Sequence, residues 1–282
     1  MRIGELFAGI GGLGLGLEWS GLGPVVWQVE QDDYARQVLA HHWPDARRYE
    51  DVKQVGAHNL APVDIICGGF PCQDISLAGA GAGIEGERSG LWSEFSRIIR
   101  EMGPRYVVVE NVPALTARGL GVVLGDLAEC GYDAVWDCIS AASVGAPHIR
   151  DRLFIVAHAL GRGRNQGRDQ ISGSSSSNRT PKGTLGREDE ERAVLAHANS
   201  KRLEKREVFR RAVRSELPPT FRARGERGDE WWSTEPDVGR VAHGVPSRVD
   251  RLRCLGNAVV PHVSQVIGGV IIQLEMTCQS TR

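Results

Sequence analysis

The sequence predicts an α/β fold built on a doubly wound, mostly parallel sheet, and three observations carry that reading. Short apolar runs alternate with stretches of helical periodicity over the first 158 residues. Several runs, such as Val107-Val108-Val109, are β-branched with no polar face, as expected of strands covered on both sides. A glycine-rich turn follows the first run and opens the first helix, the Rossmann-like way of starting such a sheet.

In chain order the expected strands are Arg2–Phe7, Pro24–Val29, Val63–Cys67, Tyr106–Glu110, Ala134–Ile139 and Leu153–Ala157. Helical patterns fall between them at Gly12–Trp19, Tyr34–His42, Leu91–Met102 and Leu120–Cys130. Beyond Ala159 the character changes. Gly161–Arg187 is rich in Gly, Ser, Arg and Asn, a composition that buries little core, and Glu188–Arg214 is charged with helical character. An apolar helical pattern then returns from Val259 to Glu275 in Val263, Val266, Ile267, Val270, Ile271 and Leu274. The expected organisation is a main body over 1–158, an insert over 159–233, and a return to the body over 234–282. The C-terminal helix is expected beside the first strand.

Composition narrows the class. The chain has 282 residues, 41% hydrophobic and 24% charged, which is ordinary globular usage. No basic-then-apolar leader and no apolar run of membrane-span length is evident, so the expectation is a soluble, cytoplasmic protein without a membrane partner. Six cysteines include no C-x-x-C pair and no clustered histidines, so neither a metal site nor a disulfide framework is expected. The net charge of −1 hides an asymmetry: Leu160–Gly228 holds 17 Lys and Arg against 9 Asp and Glu, and the remainder 17 against 26. A basic segment on an acidic body points to a polyanion partner at one place.

Two stretches carry candidate chemistry. Gly9-Ile10-Gly11-Gly12-Leu13-Gly14 fits G-x-G-x-x-G, and Glu30 ends the second strand where a carboxylate can accept from ribose hydroxyls. Nicotinamide, flavin and adenosyl ligands all use this arrangement; the short spacing and the preceding Phe7-Ala8 favour an adenosyl ligand without a pyrophosphate. Gly68-Gly69-Phe70-Pro71-Cys72-Gln73 follows directly on the strand Val63–Cys67, at the carboxyl edge where open α/β sheets bind ligands. Pro71 stiffens the backbone before Cys72, which reads as a reactive thiol, whereas Cys67 on the strand reads as a buried small hydrophobe. Glu110-Asn111-Val112-Pro113, ending the next strand, puts a carboxylate at the same edge.

The order Phe7-Ala8-Gly9-Ile10-Gly11-Gly12, Gly69-Phe70-Pro71-Cys72-Gln73, Glu110-Asn111-Val112, Arg150-Asp151-Arg152 and Gly256-Asn257 resembles the DNA cytosine-C5 methyltransferase family, over residues 3 to about 270. The resemblance implies the S-adenosylmethionine-dependent methyltransferase fold with a small target-recognition region over 159–233, which is partly flexible. It implies S-adenosylmethionine as cofactor, S-adenosylhomocysteine as product and no metal. Duplex DNA is the implied partner, with a cognate restriction endonuclease beside it, and the chain is expected to be a monomer. By resemblance the catalytic residues are Cys72, Glu110, Arg152 and Arg150. The cofactor would meet Phe7, Ala8, Gly9, Ile10, Gly11, Gly12, Glu30, Asp51, Val52, Phe70, Asn257 and Val259. Phe70, Pro71, Ser76 and Asn111 would meet the base, and Arg88 and Ser89 close a glycine-rich mobile loop, Leu77–Gly90. The implied chemistry is thiolate addition to carbon-6 of a flipped-out cytosine, which activates carbon-5 toward a methyl donor. Two departures stand out: His148 occupies a position where the family commonly has Gln, and Gly244–Leu252 stands in for an arginine- and leucine-rich element. One branch of the family modifies transfer RNA; Gln73 and the basic insert favour DNA.

Overall fold

The computed structural model describes residues 1–71, 90–160, 207–217 and 246–280, with side chains as far as Met276. Within these, seven strands form one sheet in the order β3-β2-β1-β4-β5-β7-β6. They are β1 (Ile3–Leu6), β2 (Val25–Val29), β3 (Arg47–Tyr49), β4 (Ile65–Gly68), β5 (Tyr106–Asn111), β6 (Tyr132–Ser140) and β7 (Asp151–Ala159). The described helices are α1 (Gly12–Trp19), α2 (Asp33–His42), α3 (Gly90–Met102), α4 (Leu115–Arg118), α5 (Leu120–Glu129), α6 (207–216), α7 (Arg248–Asn257) and α8 (Pro261–Ser280).

Strands β1 to β5 pair in parallel, and the chain reverses its direction of travel across the sheet between β1 and β4. Helices α1 and α3 pack on opposite faces of the sheet, the double winding that the general right-handedness of such crossovers leads one to expect. Strand β7 is antiparallel to both β5 and β6.

The pleat sorts the core into two halves. Leu6, Trp27, Val29, Ile66, Val107, Val109, Leu153 and Ile155 meet Phe95, Ile98 and Ile99 of α3 and Val123 and Leu127 of α5. Ile3, Ile65, Cys67, Val108, Phe154 and Val156 face the other way, onto Leu13 and Leu17 of α1, Phe209 and Val213 of α6, and Val263, Val266, Ile267, Val270 and Ile271 of α8. Each fully buried aliphatic or aromatic side chain contributes about 1.5–3 kcal/mol, so both sheet faces must be covered to make use of the β-branched runs.

Helix α8 packs on α1 more than beside β1. A side chain at Gly16 would collide with the Pro261 carbonyl and Ser264 Oγ, and Ser264 Oγ donates to the Gly12 carbonyl at 3.1 Å. The stretch Arg248–Met276 also holds an 18-residue window of mean hydropathy 1.5, long and apolar enough to cross a membrane by composition alone. This stretch departs from the expectation of no apolar run of membrane-span length. In the fold, the buried side of this stretch is part of the second core half, the ordinary way for a core helix to have that composition.

Two elements differ from expectation and a third, α6, agrees with it. Strand β3 carries Arg47 and Arg48 and lies at the sheet edge, where one face of hydrogen-bonding partners suffices and no apolar run marks it. Helix α7 buries none of its residues, so it leaves no apolar periodicity to detect. Helix α6 is the described part of the charged Glu188–Arg214 stretch. It docks through Phe209 and Val213, an Arg210–Asp137 ion pair at 2.8 Å, and a hydrogen bond from Gln273 to Glu216.

Candidate active site

Two clusters form at the carboxyl edge of the sheet. The first is the turn from β1 into α1. Phe7 sits at φ +53°, a strained left-handed conformation for a residue with a side chain, and its ring lies 6.1 Å from that of Phe95. Gly9 and Gly11 follow at φ +55° and +83°. The Ala8 N–H donates to the Val29 carbonyl at 3.1 Å, and the Gly11 N–H to the Ala8 carbonyl at 2.8 Å. Glu30 braces the turn from β2: its Oε2 accepts from the Gly9 N–H at 2.7 Å and its Oε1 from the Asp32 N–H at 2.8 Å.

The glycines of this turn divide into two kinds. A Cβ at Gly9 would meet nothing within 4 Å, which leaves open space for a ligand against the backbone. A Cβ at Gly11 would fall 2.5 Å from the Trp43 ring, and at Gly14 2.7 Å from Glu5 Oε2. Gly12 closes against the Val259 carbonyl, which brings the C-terminal segment to the turn. Gly11, Gly12 and Gly14 are thus required by close packing, whereas Gly9 has open space beside it among the described residues. That opening, a helix N-terminus and a carboxylate with acceptor capacity remaining suit an adenosyl amino acid.

The second cluster joins β5 to β7. Because β7 runs antiparallel, its first residues lie beside the last residues of β5: Glu110 pairs with Phe154 and Asn111 with Leu153. Arg152 Nε thus reaches Glu110 Oε1 at 3.0 Å. Burial pushes the Glu110 carboxyl above the ordinary glutamate range, against the opposing pull of Arg152 and Arg150. This carboxyl is easier to protonate than an exposed one. A Cβ at Gly69 would lie 2.5 Å from Glu110 Oε2, so the glycine before Phe70 makes room for the acid. Asn111 is 3% exposed; its Nδ2 donates to the Phe70 carbonyl at 3.1 Å and its Oδ1 accepts from the Val112 N–H at 2.8 Å. Asn111 therefore ties the end of β5 to the backbone just before Pro71. Arg150 Nη2 donates to the Gly256 carbonyl at 2.7 Å, joining β7's approach to the end of α7. Its Nε is buried with no partner among the described residues, and burial holds the guanidinium below its usual range.

The remaining expected residues fall as follows. Phe70 is buried, its ring 5.1 Å from that of Trp92, so its backbone rather than its ring faces the edge. Asp51 caps the short turn Val52–Gln54, accepting from the Lys53 N–H at 2.9 Å and from Gln54 Nε2 at 3.2 Å, and Val52 is buried in the first core half. Ile10 is half-buried in the turn, while Pro71, His148 and Asn257 are exposed. Cys72, Gln73, Ser76, Arg88 and Ser89 lie outside the described residues, as do 161–206 and 218–245. Sequence reasoning missed Gly69 as the space for Glu110. It also missed the Arg253–Asp32 ion pair at 2.5 Å, which ties α7 to the start of α2 beside Glu30. Neither has a signal in one sequence, since both are contacts between distant segments.

A family model described as C-5 cytosine-specific DNA methylase matches residues 1–213. Similar curated proteins include the Type II methyltransferases M.HhaI of Haemophilus parahaemolyticus and M.NgoBI of Neisseria gonorrhoeae. M.HhaI is 33% identical over 160 residues, covering 55% of this chain and 48% of the relative. M.NgoBI is 34% identical over 156 residues, covering 54% and 49%. The chain thus spans about half the length of the curated relatives it matches. Among solved structures, S. pombe Dnmt2 methyltransferase superposes with a TM-score of 0.57 at 14% identity, covering 97% of this chain and 99% of that one, a likeness of fold.

Proposed function

The chain belongs to the C-5 cytosine-specific DNA methylase family, and from that premise we propose that it transfers a methyl group from S-adenosylmethionine to carbon-5 of a cytosine in duplex DNA. The observation that carries this reading is the Glu110 cluster: a carboxyl of raised proton affinity, paired with Arg152, one residue from the Asn111 that fixes the backbone before Pro71-Cys72.

In this proposal Cys72 is the nucleophile. Its thiolate adds to carbon-6 of the cytosine, forming a C–S bond and moving electron density toward N3 and carbon-5. Glu110, readily protonated, donates a proton to N3 as that density arrives and accepts from the exocyclic amine. Arg152 orients the Glu110 carboxyl by its 3.0 Å pair and balances its charge after the proton leaves. Bound at the Gly9 turn, S-adenosylmethionine supplies an electrophilic methyl on its sulfonium. Carbon-5 takes up that methyl as the donor's carbon–sulfur bond breaks, leaving S-adenosylhomocysteine. Water or another base then removes the carbon-5 proton, the Cys72 thiolate is eliminated, and N3 returns its proton to Glu110, which restores the aromatic ring. A cytosine inside a stacked duplex offers neither face to such a site, so the base must leave the stack. Residues of the basic span supply phosphate contacts, which makes binding salt-dependent.

The test is transfer of labelled methyl groups from S-adenosylmethionine to unmethylated duplex DNA, followed by bisulfite sequencing. Methylcytosine within a short recurring sequence supports the proposal. Label on transfer RNA alone, or transfer that survives Cys72→Ser, overturns it.

A further inference from the structure

A carboxyl that the proposed mechanism does not use lies under the cofactor turn. Glu5 is central in β1 and 1% exposed, and Gln28 of β2 beside it is 0% exposed. Glu5 Oε1 accepts from the Gly14 N–H in the first turn of α1 at 2.9 Å, and Glu5 Oε2 from Gln28 Nε2 at 3.2 Å. Gln28 Oε1 is buried with no hydrogen-bond partner among the described residues. An ionised carboxylate has only acceptors and cannot answer that orphan carbonyl; a carboxylic acid has an O–H that can. Acid and amide are complementary in two bonds, N–H to carbonyl and O–H to carbonyl, and a buried acceptor left unmet is costly.

We propose that Glu5 is a positioning residue that acts as a neutral carboxylic acid, its Oε2 accepting from the Gln28 amide and its Oε1 hydroxyl donating to the Gln28 carbonyl while accepting from the Gly14 N–H, so that the first turn of α1 is locked beneath the cofactor turn. This inference rests on the cofactor site proposed above.

The surroundings agree. Glu18 of α1 and Glu30 at the end of β2 add negative potential, Cys67 of β4 is a thiol whose own ionisation burial suppresses, and α8 contributes Ser264 to the same seam. Burial, more than these neighbours, pushes the Glu5 carboxyl up to about 7, against the hydrogen bonds from Gly14 and Gln28. Ionisation would put a third carboxylate among Glu18 and Glu30 and strand the Gln28 carbonyl. The α1 turn should then loosen as pH rises.

The experiment is a carbon-13 NMR titration of the Glu5 carboxyl in the whole chain, assigned through its backbone, with calorimetry of S-adenosylhomocysteine binding from about pH 6 to about pH 8. A Glu5 midpoint near neutrality supports the proposal; a midpoint in the ordinary carboxylate range overturns it, whether or not any variant folds. Wild-type affinity should fall several-fold across this range, while Glu5→Gln, which keeps a donor for Gln28 and an acceptor for Gly14, should hold its low-pH affinity throughout. An equal fall in Glu5→Gln overturns the positioning role. Absence of binding by wild type at every pH would overturn the cofactor reading, and the titration would still decide the state of Glu5.

Discussion

Asn111→Ala probes how the catalytic loop is held. Asn111 is buried at the end of β5, where it donates to the Phe70 carbonyl at 3.1 Å and accepts from the Val112 N–H at 2.8 Å. Alanine removes both partners and leaves a carbonyl and an amide unmet. Each such group costs about 1–3 kcal/mol, less where water reaches it, and Val112 is half-buried. The summed loss should be about 2–4 kcal/mol, read from the midpoint of urea unfolding. The rate should fall separately. Phe70 lies two residues before Cys72, and misplacing a reacting group by roughly 1 Å costs on the order of a hundredfold. Methyl transfer measured well below the unfolding transition should show that loss in kcat, with KM for S-adenosylmethionine nearly unchanged because the Gly9 turn is held by Glu30 instead. A variant within about 0.5 kcal/mol of wild type would sink the energetic argument. A destabilised variant with wild-type kcat would sink the positioning argument.

Glu110→Gln keeps shape but cannot donate a proton to N3 as a carboxylic acid does; single-turnover methyl transfer should drop by about 10²- to 10⁴-fold, and a loss under tenfold would refute the role. Gly16→Ala tests the α1–α8 seam: an exposed helical glycine would gain about 1 kcal/mol from alanine, but here the added carbon meets the Pro261 carbonyl and Ser264, so urea unfolding should show a loss of about 1–3 kcal/mol. Glu5 has a folded value of about 7, above its ordinary 4.5, so its stabilising share is complete below 4.5 and is lost as pH rises through 7. Relative to Glu5→Gln, wild type should therefore lose about 3 kcal/mol from acid to alkaline pH, and parallel pH profiles would refute it. Native-state alkylation followed by mass spectrometry should label the exposed Cys138 and spare the buried Cys67, whose thiol burial pushes up; early labelling of Cys67 would contradict its place in the core.

Much of the sheet was legible because β-branched runs and helical periodicity are local consequences of burial. Helix α1 begins and ends where its pattern does, Gly12–Trp19, and α2, α3 and α5 differ from expectation by a residue at one end. The edge strand β3 and the exposed α7 were invisible for the same reason, since neither buries a face. At the site, the residue types at strand ends were readable, but their engagements were not. Asn111 was read as a residue for the base, and its hold on the Phe70 carbonyl came only with the fold. Asp51 was expected at the adenine edge and caps a turn. Glu5 drew no notice, since a carboxylate in a strand gives no sign of being buried.

What the sequence determined by itself was the fold class and the chemical identity of the edge residues, because burial patterns and residue types are written along the chain. What only the tertiary structure decided was which of those residues meet. Arg152 reaches Glu110 because β7 runs antiparallel to β5, Glu110 has its place because Gly69 lacks a side chain, and Gly11, Gly14 and Gly12 lie so close to Trp43, Glu5 and Val259 that a side chain would not fit. Such contacts join segments far apart in the chain, and their distances follow from how the layers pack, which no local pattern encodes.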